Sequence, residues 1–143
     1  MSFTESISSV FSKYATFSGR ARRSEFWWFY LFNVLVNIVL GLINVKIITS
    51  LWSLAILLPS LAVTVRRLHD TGKSGWYILI PIVVAIVAVI IIILSEATVA
   101  GLIIAYAMII VFAILYIIWL VTDSQPGDNQ YGPNPKDVTV DAA

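Results

Sequence analysis

Four stretches without a formally charged residue, Phe26 to Val45, Ile47 to Val65, Trp76 to Ser95 and Ala97 to Thr122, fill most of this 143-residue chain. A helix of about 20 apolar residues crosses the ~30 Å hydrocarbon core of a bilayer. The expectation is therefore an all-α integral membrane protein with four transmembrane helices, 26–45, 47–65, 76–95 and 97–122, forming one membrane domain over 1–143. Composition agrees, because 12% charged residues is about half the share of an ordinary soluble domain. Cysteine is absent, which excludes disulfides, thiolate nucleophiles and zinc-thiolate sites.

The segments outside the spans carry the polar chemistry. Residues Ser2 to Phe17 are too polar for a signal peptide's apolar segment, so the N-terminus is expected to be retained, with 1–18 as an amphipathic helix. Phe3, Ile7, Val10, Phe11, Tyr14 and Phe17 recur at helical spacing, and Ser2 with Glu5 has the spacing of a capping box. They predict an amphipathic helix, either lying in the membrane interface or packed against the end of the bundle. Arg20, Arg22 and Arg23 directly precede Phe26-Trp27-Trp28-Phe29-Tyr30, a pairing of cations and amphipathic rings suited to the headgroup layer.

Within the first span Asn33, Asn37, Gly41 and Asn44 share a helical face. Carboxamides in hydrocarbon need partners, so this stripe is either glue between helices or the wall of a polar conduit. Ser50, Ser53, Ser60 and Thr64 form a second stripe that could meet it. Lys46 alone separates spans one and two. Pro59 deprives the Ala55 carbonyl of its donor, and a neighbouring hydroxyl is expected to serve instead. The third span is expected to start near Trp76 with a bend at Pro81. Ala97, Gly101 and Ala105 form a small-residue ridge in the fourth. From Asp123 the chain becomes rich in turn formers. Pro126-Gly127 fits a type II turn, and Lys136 to Ala143 reads as a loose end.

Four spans return both termini to one side. Eight of the nine basic residues then lie on that side, and only Lys46 lies opposite. By the positive-inside rule the shared side is the cytoplasm. Four tryptophans, Trp27, Trp28, Trp76 and Trp119, mark the inner boundary, with Trp52 near the outer.

No acid–base pair or activated nucleophile stands out, and no catalytic, cofactor or metal residue is assigned. Gly72-Lys73-Ser74 resembles the end of a phosphate-binding loop, but Arg67 occupies the position where the first glycine is needed. His69, the single histidine, lacks the usual ligand spacings and is expected to hydrogen-bond Asp70 or a backbone group.

What remains is a gathering of Arg20, Arg22, Arg23, Arg66, Arg67, His69, Asp70 and Lys73 at one membrane face. They are a candidate surface for an anionic lipid headgroup, another anionic ligand or a partner protein. Glu25, Asp123 and Asp128 are candidate structural partners for the cations. Counting Lys13 and Glu5, near-membrane cations exceed acids by three, an attraction to anionic lipid of order 3 kcal/mol before screening. The other reading makes these residues topology anchors whose Arg/Asp pairs lock the loop.

Phe17-Ser18-Gly19-Arg20-Ala21-Arg22-Arg23-Ser24-Glu25-Phe26-Trp27, Arg66 to Trp76, and Gly127-Asp128-Asn129-Gln130-Tyr131-Gly132-Pro133-Asn134-Pro135 together resemble domain-of-unknown-function family 805. The resemblance spans nearly the whole chain. It implies a small protein of the bacterial inner (cytoplasmic) membrane and supplies no catalytic residues. Gln130 stands where the family more often has a basic residue. All three motifs fall on the expected cytoplasmic side, so the tail, 123–143, is expected to fold over the 66–76 connector, with Asp123 or Asp128 pairing with arginines.

The function expected from these observations is non-enzymatic binding of a partner protein or an anionic headgroup at the cytoplasmic face. The alternatives are a small oligomeric transporter or channel and a lipid-headgroup enzyme using His69 and Asp70. Expected partners are membrane lipids and a membrane protein or a second copy of the chain, not nucleic acid, and no cofactor is expected.

Overall fold

The structure, a computed structural model, describes residues 1–137. The loose end anticipated at Lys136 to Ala143 lies for its greater part, 138–143, outside the described residues. Among the described residues five α-helices follow one another: α1 (Phe3–Ser12), α2 (Arg23–Ile43), α3 (Lys46–Asp70), α4 (Ile80–Leu94), preceded by a 3-10 turn at Gly75–Leu79, and α5 (Val99–Val121). Four helical segments, Arg23–Ile43, Lys46–Asp70, Gly75–Leu94 and Val99–Val121, are long and apolar enough to cross a membrane. The chain divides into two compact units, Met1–Gly75 with the segment from Asp123, and Trp76–Thr122.

In the first unit, α1 starts with the anticipated capping box. The Ser2 backbone N–H donates to Glu5 at 2.8 Å, and the Glu5 N–H donates to the Ser2 hydroxyl at 3.3 Å. The bond from the Ser2 backbone N–H holds the Glu5 carboxyl below the usual carboxylate range, with the Ser2 side chain adding a smaller pull. The helix packs on α2 through edge-on ring contacts of Phe3 with Trp28 and of Phe11 with Phe29, burying Ser6 and Val10.

Asn44 ends α2 in the left-handed conformation (φ 55°), the role asparagine fills with least strain after glycine. Only Val45 then separates it from α3, so the hairpin is as tight as its single lysine implied. The Asn33 carboxamide oxygen accepts from the Trp52 indole at 3.1 Å and from Asn37 at 2.9 Å. The serine stripe was expected opposite the asparagines. Ser53 and Thr64 instead bond the carbonyls of Thr49 and Ser60, one turn back in their own helix, as short hydroxyl side chains in helices commonly do. Trp52 thus lies inside the span, level with the middle of α2, where its N–H has an acceptor.

The carbonyl of Ala55, orphaned by Pro59, accepts from the hydroxyl of Tyr14. The donor is a neighbour in space, just past the end of α1, not in sequence. α3 also runs five residues further than its apolar stretch, carrying Arg66 to Asp70 in its last turns. It closes in a Schellman motif: Lys73 N–H to Leu68 O at 2.9 Å and Gly72 N–H to His69 O at 3.0 Å, with Gly72 at φ 74°.

In the second unit, the expected bend at Pro81 takes the form of a junction. The 3-10 turn hands over to α4, and proline occupies its first turn, where its missing N–H costs nothing. Gly101 and Ala105 of α5 are buried, as is Ala88 of α4. Ala97 lies outside the helix, in the turn with φ 54°, so the small-residue ridge begins at Gly101. Between Pro81 and Val84 of α4 and Phe112 and Tyr116 of α5 the packing opens into an apolar cavity of about 230 Å³.

Candidate functional site

The three polar motifs, more than a hundred residues apart at their extremes, meet at the C-terminal end of α3. The Ala21 N–H donates to the Arg66 carbonyl at 2.9 Å, which docks the strap before α2 onto α3. Asp70, fully buried in the last turn of α3, accepts at Oδ1 from Arg20 Nε at 3.0 Å. At Oδ2 it accepts from Arg67 one turn earlier and from the Ser124 hydroxyl at 2.7 Å. One carboxylate thus sits between two buried guanidinium groups. Donors on both of its oxygens fix the carboxylate in place.

Arg20 explains why the tail folds where it does. Besides Asp70 Oδ1 it reaches the carbonyls of Gly127 and Gly132 through Nη1, at 2.7 and 3.3 Å. Through Nη2 it reaches those of Gln125 and Asp70, at 2.6 and 3.4 Å. Every N–H of the guanidinium therefore has an acceptor, and a planar five-donor fork is the one side chain that can achieve this. Pro126-Gly127 turns with Gly127 at φ 66°, as a type II turn requires. Asn129 and Gly132 exchange backbone hydrogen bonds of 3.0 and 3.1 Å. Both turns bend carbonyls inward onto one arginine.

The tail also grips the connector. Gln125 N–H donates to the Asp70 carbonyl at 2.9 Å, and Asn129 donates to the His69 carbonyl at 2.9 Å. The His69 ring stacks on Tyr131 with centroids 3.8 Å apart and planes within 2°. Its Nδ1 lies 3.1 Å from the Gly19 carbonyl, which can only accept, so Nδ1 carries the proton. A backbone group, not Asp70, is thus the histidine's partner.

Arg66 turns the other way. It is 1% exposed, and its Nη1 donates to Glu25 Oε1 at 2.9 Å. The same oxygen accepts from Ser9 of α1 at 3.1 Å. Arg22 and Lys73 are half-buried, and Arg23 and Lys13 are exposed. Asp123 pairs with Lys136, which holds its carboxyl below the usual range, with Arg23 adding a smaller pull. Asp128 is exposed and joins none of the ion pairs among the described residues. The tail is therefore held by backbone carbonyls and Asp70, where acidic tail residues had been expected to hold it. Sequence reading missed Ser124, Gln125, Asn129 and Tyr131. The density of turn formers around them was the available signal.

The chain is similar along its length to two inner-membrane proteins of Escherichia coli (strain K12). It is 33% identical to the inner membrane protein YhaH over 143 aligned residues, which cover 89% of this chain and 93% of YhaH. It is 33% identical to the inner membrane protein YhaI over 140 residues, covering 90% and 92%. No solved structure matches it. A family described as "Protein of unknown function (DUF805)" matches residues 14–133, a span that takes in nearly all of the three interlocked motifs, and the chain belongs to that family.

Proposed function

We propose that this chain is a multi-pass protein of the bacterial inner membrane, with both termini cytoplasmic, that binds anionic lipid headgroups at the polar end of α2 and α3 and catalyses no reaction there. The observation that carries this reading is how the charges divide. Asp70 and Glu25 hold Arg20, Arg66 and Arg67 in the interior, while Arg22, Arg23, Lys13 and Lys73 stay partly or wholly exposed. The inner knot is rigid scaffold, and the outer cations suit an anionic surface. The inner-membrane relatives and the gathering of basic residues support the location and orientation. The hydrogen bonding of Asn33 with Trp52 and Asn37 favours glue over a conduit for the asparagine stripe.

The test is detergent-free extraction of the native protein with analysis of the lipids and proteins that accompany it. Anionic phospholipid should be enriched over the bulk membrane, and Arg22→Ala with Arg23→Ala should reduce that enrichment severalfold. A bulk-like lipid profile with a stoichiometric second protein would replace the lipid reading with a partner-protein one. Reporter fusions after Ala143 and at Glu96 test orientation; an external C-terminus would refute it.

A further inference from the structure

Buried guanidinium groups are stable only when their donors are matched, and the three in the knot differ in this respect. Arg20 has an acceptor for every N–H, and Arg67 bonds Asp70 and the Ala21 carbonyl. Arg66 uses only Nη1, on Glu25. Its Nε and Nη2, buried, meet no acceptor among the described residues. These two atoms form the side of the guanidinium whose parallel N–H bonds match two oxygens of a carboxylate or phosphate. Among the described residues, the other buried polar side-chain atom in the same condition is the hydroxyl of Ser24, next in sequence to the Glu25 that anchors Arg66. Helix α1 is joined to this corner by Ser9 Oγ to Glu25 Oε1 at 3.1 Å and by a long contact of Ser6 Oγ with the Ser24 carbonyl at 3.5 Å.

We infer that the Nε–Nη2 side of Arg66 binds a phosphate group, with α1 as a cover that lifts to admit it. A phosphate suits the position better than a carboxylate side chain of the protein, since Glu25 and Asp70 are already committed and the motif sits at the headgroup end of two membrane-length helices. The inference rests on the headgroup reading above and narrows it from a diffuse cationic surface to one buried donor pair. Glu25 keeps the guanidinium in place through Nη1, so its ligand-facing side stays oriented whether or not α1 is seated.

The experiment uses the full chain in nanodiscs of phosphatidylcholine doped with phosphatidylglycerol, with native mass spectrometry reading retained lipid. It also uses lipid-free detergent micelles with inorganic phosphate, read as thermal stabilisation. Wild type should retain one phosphatidylglycerol per chain, and Arg66→Lys, which keeps the charge and the Glu25 pair but loses the fork, should weaken retention at least tenfold. Ser9→Ala, which loosens the cover, should speed exchange of the lipid severalfold, an effect a purely structural Arg66 would not produce. Stabilisation by inorganic phosphate, lost in Arg66→Lys, would assign the site to free phosphate. If Arg66→Lys does not fold, protection of Arg66 in wild type from phenylglyoxal by either probe carries the test. Retention unchanged in a folded Arg66→Lys, or no protection by either probe, would overturn the site. The Arg22→Ala, Arg23→Ala variant should lose bulk anionic enrichment yet keep the single retained lipid, so the two proposals fail separately.

Discussion

Helices α3 and α4 end in the same hydrogen-bond pattern on different residues. After α3 the left-handed position is Gly72, at φ 74°; after α4 it is Glu96, at φ 51°, followed by Ala97 at φ 54°. Both close with paired bonds back to the helix: Gly72 to His69 and Lys73 to Leu68 in one, Glu96 to Ile93 and Ala97 to Ile92 in the other. L-residues with side chains adopt this conformation at a cost of about 1–2 kcal/mol each. The turn after α4 accepts that strain twice, while the turn after α3 avoids it. Space explains the contrast. A Cβ on Gly72 would come within 2.7 Å of the Gln125 side-chain oxygen, so a larger residue there would have to displace the Gln125 side chain, whereas Glu96 is exposed. One unit is specified atom by atom around buried charge. The other is built from apolar bulk and a few small residues.

The most severe way to test this contrast is to remove the charge at the centre of the first unit. Asp70→Asn leaves Arg20 and Arg67 buried without their carboxylate, which should cost about 3–5 kcal/mol. The readout is chemical unfolding in mild detergent, together with hydrogen exchange at Gln125, whose N–H is tied to the Asp70 carbonyl. A loss under 1 kcal/mol would show that the knot is water-filled and that its charges are screened. Smaller and opposite effects should come from the two helix ends. Gly72→Ala should destabilise by about 2 kcal/mol, since it meets both the backbone penalty and Gln125. Glu96→Gly should stabilise by about 1 kcal/mol, by relieving the same penalty where nothing is crowded. Equal effects of the same sign at both ends would erase the distinction.

The same division decides what could be read from the sequence. Helices in hydrocarbon announce themselves by length and absence of charge, so α2 and α5 stand within a few residues of their uncharged stretches. The exceptions are instructive. α3 continues through Arg66 to Asp70 because those charges are paired in the interior, a fact hydropathy cannot register. Residues Arg66, Arg67 and Asp70 stood out on the page, and so did the turn chemistry of Pro126-Gly127. Which acceptors Arg20 would find did not stand out, because they are backbone carbonyls of Gln125, Gly127 and Gly132. Carbonyls carry no residue-type signal, and only the fold brings them inward. The partner of Asn33 was missed for a related reason, since an indole N–H is a donor seldom weighed among tryptophan's interfacial roles.

That Asn33 to Trp52 bond provides the finest test, because it belongs to the knot-bearing unit yet lies in its apolar middle. If buried charge at the helix ends supplies the specificity, a neutral hydrogen bond between α2 and α3 should contribute little even there. A double-mutant cycle with Asn33→Leu and Trp52→Phe isolates the coupling from the packing change of either substitution. The expected coupling is about 0.6 kcal/mol, the typical value for such bonds between helices in membranes, because the separated helices find other partners for the same groups. Asn37 offers that substitution already, since its side-chain nitrogen reaches the Asn33 oxygen at 2.9 Å and the Asn33 carbonyl at 2.7 Å. With Trp52 removed, the carboxamide of Asn33 keeps one donor and is not orphaned. A coupling above about 2 kcal/mol would mean that the middle of α2 and α3 is as tightly specified as their polar end, and the contrast between the two units would then follow from having polar residues at all, not from where the charge is buried.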